Sequence, residues 1–512
     1  MTTSLETKSL YQTVATLERP CYVTCDERGV TVVSDDRSIS PAAQVLAAVP
    51  SITPERLGAP GFLRDHGVRY PYMAGAMANG IASVPLVVAM ARAGFLASFG
   101  AAGLVPSRVD EALTAIRRQA PDLPFACNLI HSPHEQALER ATVDACLRHG
   151  VRCVEASAFL DLTAQVVRYR LAGLSASPSG GVRIANRVIA KVSRPEVAEL
   201  FLRPAPPHLV RALLDQGLIS AEQAELAGRV AMADDITAEA DSGGHTDRRP
   251  LPVLLPEILA LRDRVHAETG LDVRIGAAGG IGTPTAAAAA FAMGASYVVT
   301  GSVNQACVEA GQSEAAKQLL AGAGAADFGM APAADMFELG VDVQVLKRGT
   351  MFAAKAKRLY ELYRACAGID DLPREERASL EARVFQRPLT EIWQDTVRFF
   401  EARDPAQITR ARNDPKRQMA LIFRWYLGLA SSWSTTGDPT RLADYQIWCG
   451  PAMGAFNTWV AGTPLADLPN RRVAGVASQL MRGAAFAARI TQLRFAGVRL
   501  PQSCSTYRPE PA

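Results

Sequence analysis

Two glycine-bearing segments, Gly279-Gly280-Ile281-Gly282 and Gly301-Ser302, each follow a short apolar run just past the middle of the chain. Glycine lets backbone N–H groups approach a phosphate closely, and the positive end of a following helix favours an anion. Pro284 suits the first turn of such a helix. Either loop alone reads more readily as a tight turn between a strand and a helix, and it is their joint occurrence that favours the phosphate. Together, Gly279, Gly280, Gly301 and Ser302 fit the phosphate of a monophosphorylated cofactor. A dinucleotide fingerprint is not matched, because after Gly280-x-Gly282 the position that needs a third glycine holds Thr285. A third segment, Glu239-Ala240-Asp241-Ser242-Gly243-Gly244-His245-Thr246, sets a histidine after paired glycines. On a loop at the catalytic face His245 can give or take a proton near neutral pH; its alternative is a loop histidine open to solvent.

Three further segments bear on what that cofactor is. Asn128 ends the run FACNLI, and its amide can bond either a flavin edge or nearby backbone. Lys191 ends RVIAKV and can set a positive charge near the N1/O2 side of a flavin, or pair with a neighbouring strand carboxylate such as Glu155 or Glu239. Ala74-Gly75-Ala76-Met77 is small enough to let a planar ring lie against backbone, although Met77 fits core packing as well. His131 and His134 lack a clear set of partner ligands, so no metal site is expected.

These residues need elements that bring them to one face. From Arg69 onward, short apolar runs alternate with helical segments, the pattern of repeated strand-helix units and a parallel sheet. Eight strands are expected, at Tyr70–Ala74, Phe95–Phe99, Phe125–Ile130, Cys153–Ala156, Arg187–Val192, Asp235–Ala240, Val273–Ala277 and Tyr297–Thr300. Eight such units close into a (β/α)8 TIM barrel, whose chemistry sits at the C-terminal ends of the strands and whose phosphate sites commonly lie after strands seven and eight. The expected organisation is an α/β chain in three parts. Residues 1–60 form a small strand-rich cap with one hairpin from CYVTC and VTVVS, and 61–323 form the barrel with a helical insertion near 204–233. Residues 324–512 form a C-terminal helical domain for substrate or partner.

Composition narrows the class. Lys+Arg of 54 against Asp+Glu of 51 leaves +3, which offers no general footprint for nucleic acid or an anionic membrane. The nine cysteines form no CxxC pair and read as reduced thiols. The start MTTSLETKSLYQTVATLERP has neither a basic beginning nor an apolar run, and no stretch reaches membrane-span length, so a cytoplasmic location is expected.

Taken together, YPYMAGAMANGIASVPLVVAMARAG, FACNLIHSP, NRVIAKVSRPEVA, ITAEADSGGHTDRRP and IGAAGGIGTPTAAAAAFAMGASYVVTGSVNQAC resemble the PfaD-type enoyl reductases, whose barrel is similar to that of nitronate monooxygenases. ADMFELGVDVQVLKRGTMFAAKAKRLYELY and DYQIWCGPAMGAFNTWV resemble that group alone. The resemblance implies an FMN-dependent enzyme that uses NADPH to reduce enoyl thioesters on acyl carrier protein domains in polyketide or polyunsaturated fatty acid biosynthesis. A homodimer is expected by analogy. His245 matches the active-site histidine, Gly279, Gly280, Gly301 and Ser302 the phosphate loops, and Asn128 and Lys191 flavin-facing positions. A nitronate monooxygenase-like flavin oxidoreductase is the alternative. For the acidic surface of a carrier protein, the basic cluster Lys347, Arg348, Lys355, Lys357 and Arg358 offers a meeting place, or else simply a solvated helix face.

Overall fold

Strands that are apolar on both faces need cover on both faces, and the chain provides it by closing a barrel and ringing it with helices. The computed structural model describes residues 4–27, 29–131, 136–244 and 247–509. Eight parallel strands, Tyr72–Ala74, Leu96–Phe99, Ala126–Ile130, Cys153–Ser157, Arg187–Val192, Asp235–Glu239, Arg274–Ala278 and Val298–Thr300, form a closed barrel. The eighth strand pairs with the first through Val298 with Tyr72, Val299 with Met73 and Thr300 with Ala74. Each expected strand is present, with ends moved by no more than a residue or two. The first begins at Tyr72, after Pro71, which has no N–H to give a sheet.

The N-terminal mouth of the barrel is plugged. The short helix Pro60–His66 buries Phe62 and His66, and the Phe62 ring stacks on Tyr297 with centroids 4.3 Å apart. Gly276 is obligatory beneath the Tyr297 ring, since an added Cβ would lie 2.4 Å from it. Beside the plug runs a buried chain of charges. His66 Nε2 lies 2.7 Å from Asp235 Oδ2, and Arg274 holds the same carboxylate at 2.6 Å. Arg274 reaches Asp65 at 2.7 Å, while Asp234 takes Arg170 at 2.6 Å and Arg187 at 2.9 Å.

The expected hairpin is present, with Cys21–Asp26 paired antiparallel to Gly29–Val33, and the cap adds further elements to it. Three antiparallel strands are present, with Cys21–Asp26 between Gly29–Val33 and Gln44–Val49, and a helix Ser4–Ala15 precedes them. The third strand reads QVLAAV, which has little of the polar alternation that marks a half-buried strand.

The expected helical domain of 324–512 also divides differently. Residues 312–454, with Ser242, Gly243 and Gly244, form one compact unit, and the described residues of 455–512 belong to the unit of the cap and barrel. The reason is small side chains. The long helix Val473–Phe495 packs on the barrel helix Pro284–Ala292, and Gly483 lies so close to Pro284 that a Cβ would come within 2.5 Å of its ring. The same helix carries Arg489, fully buried, whose guanidinium donates to the carbonyls of Val14, Thr16, Leu17, Arg19 and Pro50 and so fixes the turn into the cap.

The other unit contains an antiparallel hairpin, Phe328–Pro332 with Asp342–Leu346, and helices including Phe352–Ala365, Leu389–Arg403 and Pro415–Thr436 around Phe337, Phe385, Phe423 and Tyr426. In this unit the helical run ending at Phe385 breaks at Gln386, which turns left-handed at φ 58° ahead of Pro388, and a new helix starts at Leu389. In the barrel unit the insertion near 204–233 is two short helices, Pro207–Asp215 and Ala221–Leu226, the second opened by a Ser220/Gln223 capping box. Among the described residues no helix is long and apolar enough to cross a membrane.

Burial pushes the Asp235 carboxyl up, but His66 and Arg274 together hold it below the usual carboxylate range. A carboxylate depressed in the folded state stabilises fully above the unfolded value of about 4 and loses that contribution as pH falls through the folded value. Asp235→Asn leaves the largely buried Arg274 without its charge partner and should cost about 3–5 kcal/mol at neutral pH. Urea unfolding at several pH values checks both points: the gap between parent and variant should be full at neutral pH and narrow on acidification.

Candidate active site

At the opposite, C-terminal end of the strands one carboxylate organises the surroundings. Glu155, on the fourth strand, is 1% exposed. Its Oε2 accepts the backbone N–H of Ala76 at 2.8 Å, and its Oε1 lies 3.6 Å from Lys191 Nζ on the fifth strand. Lys191 also pairs with Glu239 on the sixth strand at 3.3 Å. Burial works to lower the Lys191 pKa, but the carboxylates of Glu239 and Glu155 outweigh it and raise the pKa above the ordinary lysine value, so the side chain stays charged. Asn128, on the third strand, donates from Nδ2 to the Glu155 carbonyl at 3.1 Å and to Ser157 Oγ at 3.0 Å. Its donor nitrogen is thus spent, and the atom it can present is the acceptor Oδ1. The structure therefore brings Asn128, Lys191 and Ala76 together through Glu155, a residue that sequence reasoning raised only as a possible ion-pair partner. The available signal was a lone carboxylate in the buried run CVEAS.

The loop after the first strand is locked from below. Gly75 N–H donates to the Thr300 carbonyl at 2.9 Å, joining strands one and eight at their ends. Gly75 could carry no side chain without striking Val299, at 2.8 Å from an added Cβ. Met77 is buried at 8% exposure and accepts the Ala82 N–H through its carbonyl at 3.1 Å. Thr300 is held in turn by Tyr72 Oη and by Asn304 Nδ2, which donates to its carbonyl at 2.9 Å and its hydroxyl at 3.1 Å.

The four glycine-loop positions divide into two kinds. Gly279 is left-handed at φ 88°, and a Cβ there would lie 2.6 Å from the Ala240 carbonyl oxygen, so this glycine serves close packing between strands six and seven. An added Cβ at Gly280 or at Gly301 would meet nothing within 4 Å. Both backbones therefore border open space at the ends of strands seven and eight. Gly280 leads towards the helix Pro284–Ala292, capped by Thr283, and Ser302 opens the short turn Ser302–Gln305. Room of this kind beside two backbone turns fits a terminal phosphate. His245 and Thr246 lie outside the described residues, as does His134.

The family model for nitronate monooxygenase matches residues 62–351, more than half of the chain. The enoyl reductase domain of MlnA, from the macrolactin biosynthesis cluster of Bacillus amyloliquefaciens, is similar at 37% identity and TM-score 0.83 over 87% of this chain and 100% of that one. The chain belongs to the nitronate monooxygenase family, in its PfaD-type enoyl reductase group. Further members include one of the polyunsaturated fatty acid synthase subunits of Thraustochytrium sp., 52% identical over 86% of this chain and 30% of that protein. Polyketide biosynthesis protein PksE of Bacillus subtilis is 44% identical over 84% of this chain and 56% of its own. The chain thus spans roughly half or less of these curated relatives. A second family model, described as the inserted helical domain of [acyl-carrier-protein] S-malonyltransferase, matches residues 366–445.

For this enoyl reductase group the sequence also suggested a basic cluster, and the structure divides it. Lys355 is not a free surface charge: it pairs with Asp444, which is 1% exposed in its side chain and also takes Tyr426 Oη at 2.9 Å. Arg358 is paired with Glu361 and Glu376, and Arg348 with Asp327. Lys347 and Lys357 are exposed.

Glu155→Gln keeps an acceptor for Ala76 and removes one of the two charges facing Lys191, whereas Glu155→Ala removes both interactions. Loss of a buried partner of this kind should cost about 3 kcal/mol or more in the alanine variant, with the glutamine variant intermediate. Urea unfolding of the three proteins orders them.

Proposed function

We propose that this chain is an FMN-dependent enoyl reductase that uses NADPH to reduce the α,β-double bond of enoyl thioesters carried on acyl carrier protein domains of a polyketide or polyunsaturated fatty acid synthase. The observation that carries this reading is the open space over Gly280 and Gly301, in a chain that aligns with an enoyl reductase domain over the whole length of that domain. Gly280, Gly301 and Ser302 would hold the FMN phosphate, with Gly279 fixing the turn. Ala74, Gly75, Ala76 and Met77 would flank the ring. Asn128 would accept from it through Oδ1, and Lys191, kept charged by Glu155 and Glu239, would set a fixed positive charge beside it.

Bound FMN would supply hydride transfer from NADPH to the β-carbon of the enoyl thioester. His245 would then protonate the α-carbon or steady the enolate-like oxygen of the thioester. Carrier-bound substrate is supported by the helical unit, whose residues 366–445 match a module described from an acyl-carrier-protein transferase. Lys347 and Lys357, being exposed, are the members of the basic cluster suited to meet an acidic carrier surface.

Gly301→Val is the sharper test of the phosphate position, because Gly301 has an ordinary φ of −128°, whereas Gly280 at φ 72° would be strained by any side chain. The Gly301→Val protein should fold and lose FMN; stoichiometric FMN in the folded variant would remove the site. In anaerobic rapid mixing, NADPH should bleach the yellow protein and an enoyl thioester should restore its colour. Absence of bleaching would instead favour a monooxygenase. His245→Ala should keep FMN and slow only the second step, by roughly 10²–10³-fold; an unchanged rate of colour recovery would deny the histidine its role. Lys347→Glu with Lys357→Glu should weaken turnover of carrier-bound substrate and spare a free pantetheine thioester, and equal losses for both substrates would rule out docking there.

A further inference from the structure

One arginine of the barrel unit is buried without a carboxylate. Arg471, just ahead of the helix Val473–Phe495, is 1% exposed. Its Nε donates to the Leu465 carbonyl at 2.9 Å and its Nη2 to the Ala466 carbonyl at 3.2 Å, and the guanidinium lies 5.2 Å from the centroid of the Phe456 ring. Nη1 has no hydrogen-bond partner, and among the described residues Arg471 enters no ion pair. Arg489, equally buried, is enclosed by five carbonyls. A guanidinium stays charged at any working pH, and a charge taken out of water is costly unless another charge answers it.

The residues around Arg471 belong to the turn after strand eight. Its carbonyl accepts the Val308 N–H at 3.0 Å. Burial lowers the Arg471 pKa from its ordinary value, and the first group to work against this is the fully buried thiol of Cys307. That thiol donates to the Val303 carbonyl at 3.6 Å. Asn304, also fully buried, ties the same turn to the strand, with its N–H on the Gly301 carbonyl and its Nδ2 on the Thr300 carbonyl, both at 2.9 Å. Arg471 thus stands behind the backbone of Gly301, which borders open space. Neither glycine loop, over residues 279–285 or 301–310, contains a lysine or arginine. The carboxylate of the second stretch, Glu309, accepts the Val473 N–H at 3.0 Å instead of meeting Arg471.

We propose that Arg471 is the buried charge partner of the anion seated over Gly301, acting across the turn Ser302–Gln305 and not by contact, and that it makes the site selective for a phosphorylated flavin over an uncharged one. The proposal rests on the phosphate position assigned above. Without Arg471 a phosphate dianion there would meet only the partial charges of backbone N–H groups and a hydroxyl. A full charge held in the low-dielectric interior acts over distances at which water and salt would screen it. The same arrangement explains why the arginine lacks a carboxylate: an internal counter-ion would cancel the field that the phosphate feels.

The test uses the full flavin-free chain, titrated separately with FMN and with riboflavin and followed by the quenching of flavin fluorescence. The parent should bind FMN the more tightly, by about 10²-fold or more. Arg471→Met keeps the apolar stem and removes the charge, and it should shrink that ratio by about tenfold or more, chiefly through weaker FMN binding. Arg471→Lys should hold the ratio near that of the parent, even where both affinities fall because an ammonium cannot reach both carbonyls. If Arg471→Met does not fold, Arg471→Gln takes its place beside Arg471→Lys: glutamine can still donate to a carbonyl but should lose the ratio that lysine keeps. A parent-like ratio in the folded neutral variant, or an equal loss of both flavins in the neutral and lysine variants, would overturn the proposal and leave Arg471 as a tie between carbonyls, with the phosphate site standing. A parent that binds riboflavin as tightly as FMN would remove the phosphate site itself and the proposal with it.

Discussion

A closed parallel barrel covers each strand on both faces, so a charge carried on a strand must be answered by another strand or by whatever plugs the barrel's ends. This chain meets that demand twice. At the N-terminal end Asp235 is answered by His66 and Arg274, and Asp234 by Arg170 and Arg187. At the C-terminal end Glu155 and Glu239 are answered by Lys191. The two clusters obey one rule and serve different ends. The lower one ties the plug helix to strands five, six and seven, as residues at that face of a barrel commonly do for stability. The upper one joins strands four, five and six through Glu155 and Glu239, and through Ala76 reaches the loop after strand one, so that the elements around the candidate site share a common hub.

Most of the barrel was legible because its signal is local and repeated: each strand is a short apolar run, and many of the helices begin at or just after a polar or proline residue. Arg187–Val192 was placed to the residue for this reason. What escaped depended on partners distant in the chain. The strand Gln44–Val49 lacks a pattern of its own and takes its form from pairing with Cys21–Asp26. The helix Val473–Phe495 was visible as a helix, but its alanines and Gly483 do not announce that they fit against Pro284.

The site shows the same division. The glycines stood out by type and position, yet their different surroundings did not, because only the neighbours distinguish Gly279, packed on Ala240, from Gly280 and Gly301, which face open space. Lys191 was read as either a charge beside a ring or an ion-pair partner, and the structure supplies the pairing in full. The two descriptions are compatible. A lysine pinned between two carboxylates pays no further cost to become ordered when a ligand arrives, and its charge is already fixed in place. Lys355 is the contrary case, since its pairing with the buried Asp444 withdraws it from the surface on which its sequence neighbours remain.

The difference between the two ends of the barrel lies in what is left over once internal demands are met. At the lower end the carboxylates of Asp235 and Asp234 are enclosed by cationic partners, and the Tyr297 ring fills the space over Gly276. At the upper end the ion pairs are also complete, but Asn128 keeps an acceptor oxygen and the backbones of Gly280 and Gly301 border unfilled space. Fixed charge next to unspent hydrogen-bonding capacity is what a binding site requires, because the rigid part orients and the unspent part binds. The candidate site in this chain is therefore marked less by which end carries charge, since both do, than by which end leaves room beside it.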